Sequence, residues 1–152
     1  MRGVRRLARV APHLIWCVVV TTLVFPLLPN KARLAFKARW SRRLLERLGV
    51  RLQASGVPMD GGLLVANHIS WLDIFAINAL APTAFVAKSE VRAWPVIGRV
   101  CARTDTLFME RGSRSAAVRT KEHVIGALRR NVRVGFFPEG TTSCGDAVLP
   151  FH

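Results

Sequence analysis

Acidic residues are scarce in this 152-residue chain: nine Asp and Glu stand against 23 Lys and Arg, for a formal charge of +14. A chain so short of acids presents a field for polyanions. Cysteine is also rare. Cys17, Cys101 and Cys144 are far apart and form no Cys-x-x-Cys pattern, so neither a disulfide framework nor a zinc site is supported. No repeat or low-complexity tract is present, and the length allows one compact domain but not a second. About half the residues are apolar and a fifth charged, which excludes disorder as the default.

The charge is unevenly spread. Residues 1–51 hold twelve Lys and Arg with Glu46 as the one acid, so they carry +11 of the +14. Within that block no charged residue lies between Arg9 and Lys31, and Leu14, Ile15, Trp16, Val18, Val19, Val20, Leu23, Val24 and Phe25 make the interval strongly apolar. As a helix it would reach roughly 30 Å, enough for a bilayer core, although Pro12, Pro26 and Pro29 shorten the usable part. A secretory signal has a similar basic start, but no small-residue cleavage site follows Leu28. A true crossing would leave one of the two flanking basic clusters on the wrong side of the membrane, whereas a helix lying in one leaflet keeps both on the cytoplasmic face. A monotopic or singly anchored membrane protein is therefore expected.

Residues 31–48 place Phe36, Trp40, Leu44 and Leu48 at four-residue spacing among seven Lys and Arg, an amphipathic basic helix. Its apolar stripe fits either a membrane interface or the domain core, and its position next to the apolar segment favours the interface. After Gly49 the pattern changes. Short apolar runs at 50–54, 63–66, 84–87, 106–109 and 132–137 read as strands, with helical stretches at 71–80, 89–93 and 113–130 between them. The expected fold is α/β, a largely parallel or mixed sheet flanked by helices, with residues 1–48 as membrane-associated helices before a domain over 49–152. Polar clusters follow three of the strand-like runs, at 67–73, 110–114 and 138–145. Loops on such a scaffold concentrate binding and chemistry.

In the first cluster, His68 follows a hydrophobic strand and Asp73 comes five residues later at a helix start, a spacing that lets the two side chains meet across a turn. Imidazole can take a hydroxyl proton near neutral pH when a carboxylate fixes its other nitrogen. Such a pair is also compatible with a helix cap beside a surface histidine. Ser70 lacks the Gly-x-Ser-x-Gly setting of a nucleophile and reads as a cap or supporting donor. Arg111 offers a forked cation for phosphate or carboxylate, or else a surface ion pair with Glu110 or Asp105. Gly140 lets backbone N–H groups approach an anion, with Thr141 and Thr142 as neutral donors nearby.

Together and in this order, NHISWLD, LFMERG and FPEGTTS resemble the first three motif blocks of the glycerolipid acyltransferase family, of the lysophosphatidate acyltransferase type. The resemblance covers most of residues 35–152. It implies that His68 is a general base oriented by Asp73, that Arg111 binds the acceptor phosphate, and that Glu139, Gly140 and Thr141 form the acceptor-site block. Asn67, Ser70 and Thr142 are implied as supporting polar residues. The fatty acyl group would pass directly from acyl-CoA or acyl carrier protein to the hydroxyl of a lysophospholipid, 1-acylglycerol-3-phosphate first and lyso-ornithine lipid next, on an anionic membrane surface. No cofactor or metal is expected. Many relatives have Arg where Thr142 stands, and LPFH precedes the family's fourth block, so the domain is expected to be C-terminally incomplete. An inactive membrane-binding remnant is the alternative of another class. Nucleic-acid binding is not expected, because the basic residues adjoin an apolar segment and no zinc finger or stacking-aromatic motif is present.

Overall fold

A computed structural model describes residues 2–110 and 112–151. The first helix, α1 (Arg2–Val19), carries Pro12 within it, and the coil continues as a π-helical turn over Val20–Val24 and a 3₁₀ turn over Phe25–Leu27. Pro26 and Pro29 lack the N–H groups that would extend it. Among the described residues Ala8–Leu27 is a helical stretch long and apolar enough to cross a membrane by length and composition. Its two faces differ. Val10, His13, Cys17, Val20, Thr21 and Phe25 are buried on protein, while Leu14, Ile15, Trp16, Leu23 and Leu27 are exposed.

Helix α2 (Asn30–Leu48) ends at Gly49, whose left-handed φ of 77° lets its N–H and that of Val50 return to Glu46 and Leu45 carbonyls. The four-residue stripe expected at a membrane interface is instead turned inward. Trp40 and Leu44 are buried, with Phe36 and Leu48 packed beside them together with Phe75 and Val100 of the α/β part. The reason is physical: the same stripe serves lipid or core, and here the core takes it. The exposed large apolar residues of the two N-terminal helices lie on α1 and the turns that follow it.

Four short strands follow: β1 (Leu63–Val65), β2 (Ala84–Lys88), β3 (Leu107–Met109) and β4 (Val134–Phe136). All pairings are parallel and the order is β1-β4-β2-β3. Helix α3 (Leu72–Leu80) links β1 to β2, the short α4 (Ile97–Arg103) precedes β3, and α5 (Arg114–Arg129) links β3 to β4. Chain direction across the sheet reverses between the two long crossovers, so right-handed connections put α3 and α5 on opposite faces. That reversal leaves β1 and β4 adjacent with their C-terminal loops side by side, the place where open α/β sheets bind ligands. Ser113 caps α5 by accepting the Ala116 N–H at 3.1 Å.

Two sequence expectations change. Residues 50–54 form no strand but exposed coil, because β1 pairs only with β4 and the alternating Val50, Leu52 and Ala54 find no partner. Helix α4 was not anticipated, since its start is unusual: Val96 has φ 64° and ψ −59°, with the Ile97 N–H reaching the Pro95 carbonyl at 2.7 Å in a γ-turn. Gly98 fits there because a Cβ would run into the Arg92 carbonyl.

Three basic residues of α2 fasten it to the α/β part. Lys37 Nζ donates to the Thr83 and Thr104 carbonyls at 2.7 and 2.9 Å, Arg42 donates to the Ala79 carbonyl, and Arg33 donates to the Arg103 carbonyl and pairs with Asp105. Burial pushes the Lys37 ammonium down to about 8, Asp105 opposing the shift and Arg33 adding to it. The folded value lies below the ordinary lysine value near about 10.4, so between about pH 8 and that value the unfolded chain keeps a proton the folded chain has lost. Stability from this group therefore rises with pH across that window. Lys37→Met is expected to lose about 1–3 kcal/mol by stranding two carbonyls and to remove that upward slope, both read by denaturant unfolding at a series of pH values. Equal stability and an unchanged slope would contradict the clamp.

Candidate active site

The loop leaving β1 and the first turn of α3 form one knot around a single oxygen. Asp73 Oδ2 lies 2.9 Å from His68 Nδ1 and accepts the backbone N–H groups of Ile69 at 2.7 Å and Ser70 at 2.9 Å. An oxygen that already accepts two N–H bonds acts as acceptor to the ring as well, which makes Nδ1 the donor and leaves Nε2 with its lone pair. Ser70 Oγ accepts the Leu72 N–H at 3.1 Å, and its carbonyl accepts the Asp73 N–H. Ser70 is thus a turn and helix-start residue. Its hydroxyl faces the backbone rather than the imidazole.

His68 is held from other sides too. Its backbone N–H donates to Glu139 Oε2 at 3.3 Å, and its carbonyl accepts the Ser143 N–H at 2.9 Å. Phe137 stacks on the ring, with centroids 4.1 Å apart and planes 16° from parallel, and Phe85 stacks on Phe137 at 5.5 Å. The imidazole keeps 19% of its side-chain surface open. Nε2 has no hydrogen-bond partner among the described residues. The result is an oriented imidazole with its accepting nitrogen free at the C-terminal edge of the sheet, a suitable base for a proton delivered from outside.

Glu139, expected among the acceptor-binding residues, turns inward in this structure. It is 2% exposed, and its second oxygen accepts the Leu149 N–H at 3.1 Å. A buried carboxylate needs such donors, and here they come from the loops it joins: the His68 turn and the segment after Gly145. It therefore positions His68. Gly140, at φ 63°, turns the chain just beyond it, and its N–H closes on the Phe137 carbonyl. Thr141, Thr142 and Asn67 are exposed in the loops that follow the adjacent strands β4 and β1. Arg111 lies outside the described residues. The two acids considered as its surface partners are otherwise engaged, Glu110 with Arg119 at 2.7 Å and Asp105 with Arg33 at 3.2 Å.

Sequence reasoning missed three contributors: Phe137 under the ring, the Ser143 N–H on the His68 carbonyl, and Gly145, whose left-handed turn packs against Ile69. Ser143 and Gly145 lie in the third polar cluster and Phe137 ends the strand-like run before it, but the β1-β4 pairing that brings them to His68 spans about seventy residues.

The chain has counterparts among known proteins. The acyltransferase family model matches residues 50–152. The chain is 45% identical over 92 residues to the 1-acyl-sn-glycerol-3-phosphate acyltransferase of Neisseria gonorrhoeae, covering 60% of this chain and 36% of that protein. It is 40% identical over 114 residues to the lyso-ornithine lipid O-acyltransferase of Pseudomonas aeruginosa, covering 74% of this chain and 44% of that one. The crystal structure of the 1-acyl-sn-glycerophosphate acyltransferase from Thermotoga maritima superposes with a TM-score of 0.71 at 28% identity, over 99% of this chain and 67% of that chain. The chain thus spans less than half the length of these two curated relatives.

The stack beneath His68 rests on Gly135 in β4, where a Cβ would come within 2.7 Å of the Phe85 ring and 2.8 Å of Thr83 Cγ2. Gly135→Ala is expected to cost about 1–3 kcal/mol through overpacking. It should also shift the His68 ring resonances in NMR, because the displaced Phe85 pushes Phe137. A variant with native stability and unmoved resonances would show that the stack does not set the ring.

Proposed function

The chain belongs to the acyltransferase family, and from that premise we propose that it transfers a fatty acyl group from a thioester to the hydroxyl of a lysophospholipid. The observation that carries this reading is the His68–Asp73 pair, with no partner for Nε2 among the described residues, at the sheet edge beside the loop of Glu139 and Gly140. As the acceptor hydroxyl oxygen attacks the thioester carbonyl, Nε2 takes its proton and Asp73 offsets the charge gained by the ring. The tetrahedral intermediate then collapses: the carbon–sulfur bond breaks, the proton passes from Nε2 to the leaving thiolate, and an ester remains. No acyl-enzyme forms. Arg111 binds the acceptor's phosphate, and Gly140, Thr141, Thr142 and Asn67 contact the acceptor.

The donor is acyl-CoA or acyl carrier protein. The acceptor is 1-acylglycerol-3-phosphate, giving phosphatidate, in line with the Neisseria and Thermotoga relatives. Lyso-ornithine lipid is a second reading, favoured by the larger share of this chain matched by the Pseudomonas relative and by a threonine, not an arginine, at Thr142. Both acceptors are amphiphiles, and the protein works at the cytoplasmic leaflet. The two-faced α1 supports a monotopic arrangement: Leu14, Ile15, Trp16, Leu23 and Leu27 enter the lipid while the opposite face stays on the protein.

His68→Ala is expected to reduce transfer of labelled acyl groups from acyl-CoA or acyl carrier protein by on the order of 10²–10⁴-fold while the protein still binds vesicles. An unchanged rate would remove His68 from the chemistry. A panel of lysophosphatidate and lyso-ornithine acceptors in the same assay separates the two acceptor readings by relative kcat/KM.

A further inference from the structure

Six of the seven basic residues of α2 fall into two sets. Arg33, Lys37 and Arg42 are spent on carbonyls and Asp105 of the α/β part. Arg39, Arg43 and Arg47, four residues apart, follow one another along the side of α2 that looks toward α1. They line a cleft of about 410 Å³ between the two helices, whose other walls include Trp16, Trp40 and His13. None of the residues around His68 and Asp73 borders it.

Three features of the cleft point to an occupant. First, it is cationic and uncompensated: none of its three guanidinium groups makes an ion pair among the described residues, and Arg39 and Arg43 have no side-chain hydrogen bond there, while Arg47 gives one N–H to the Arg9 carbonyl. Second, its aromatic wall is rigid. His13 and Trp40 stack at 4.8 Å with planes 3° apart, and each ring nitrogen bonds the other residue's carbonyl at 3.1 Å. Burial lowers the basicity of the His13 ring, the Trp40 carbonyl partly restores it, and the Arg47 and Arg43 charges lower it further. Third, Leu14, Ile15 and Trp16 beside it are exposed and apolar.

We propose that this cleft binds the phosphate of an anionic bilayer phospholipid, with Arg39, Arg43 and Arg47 on the phosphate oxygens and Trp16 against the glycerol and upper acyl chains. Guanidinium forks suit phosphate oxygens, and an indole suits the junction of headgroup and chain. The exposed face of α1 selects a lipid over a free phosphate or a nucleic acid, because it lets the chains stay in the leaflet while the headgroup enters sideways. The bound lipid is a holdfast separate from the acceptor, and it fixes α1 against α2 at the membrane. The site rests on the membrane placement argued above and not on the acyl-transfer chemistry.

The test uses the full chain with dioctanoyl phosphatidylglycerol below its micelle concentration, followed by calorimetry. One lipid per chain is expected. The double variant Arg39→Ala with Arg43→Ala should bind it roughly tenfold to thirtyfold more weakly. Removing the same charge from the far end of α5, Arg129→Ala with Arg130→Ala, should change it by less than about threefold. His68→Ala should bind it normally, so loss of transfer chemistry and loss of this site are separable. The proposal is overturned if the two double variants weaken binding equally, if inorganic phosphate alone binds as tightly, or if an oligonucleotide displaces the lipid.

Discussion

Oδ2 of Asp73 accepts the His68 Nδ1–H and two backbone N–H groups at once, and the local geometry of the site follows from that convergence. The backbone bonds close the turn over Ile69 and Ser70 at the entrance to α3. The ring bond selects the tautomer in which Nε2 is the acceptor. One carboxylate thereby shapes the loop and orients the ring. A helix start is a favourable place for it, since the first turn welcomes negative charge.

The sheet supplies what a local turn cannot. Because β4 is inserted between β1 and β2, the loop carrying Glu139 lies against the loop carrying His68, and a buried carboxylate can hold the histidine's main chain from below. The aromatic stack of Phe85, Phe137 and His68 descends from the ring into the sheet at the glycine of β4. The imidazole is therefore fixed along its hydrogen bond, its main chain and its ring face, while Nε2 has no partner among the described residues. Preorganisation of this kind is what keeps a reacting proton within reach without reorganisation at the moment of transfer.

Much of this was legible in the residues. The change of pattern at Gly49 marked the end of α2, the helical stretch from Ser113 marked α5, and apolar runs before polar clusters marked the strands that carry the site. The pairing of His68 with Asp73 was legible because five residues across a turn leave few other arrangements. Where reading failed, the cause was a pattern with two physical solutions. The alternation of Val50, Leu52 and Ala54 suits a strand or a surface coil, and the stripe of α2 suits lipid or core, until a partner is known. The inward turn of Glu139 and the Phe137 stack required the order of the strands, which no local spacing encodes. Val96 in its γ-turn breaks the ordinary preference of β-branched residues and left no local mark.

The N-terminal helices extend the same logic to the membrane. Three of α2's seven cations fasten it to the domain and three face α1, so one run of sequence both builds the core and presents charge, while the outer side of α1 offers the apolar surface. Such a platform would hold the open nitrogen of His68 near an acceptor that never leaves the lipid. The central claim is that the Asp73 carboxylate makes this nitrogen a base, and Asp73→Asn tests it most directly, because the amide oxygen can still accept the two backbone bonds. The account predicts a protein whose thermal unfolding stays within a few degrees of the parent, with transfer slower by on the order of 10²–10⁴-fold. A folded variant that transfers acyl groups at the parent rate would contradict it.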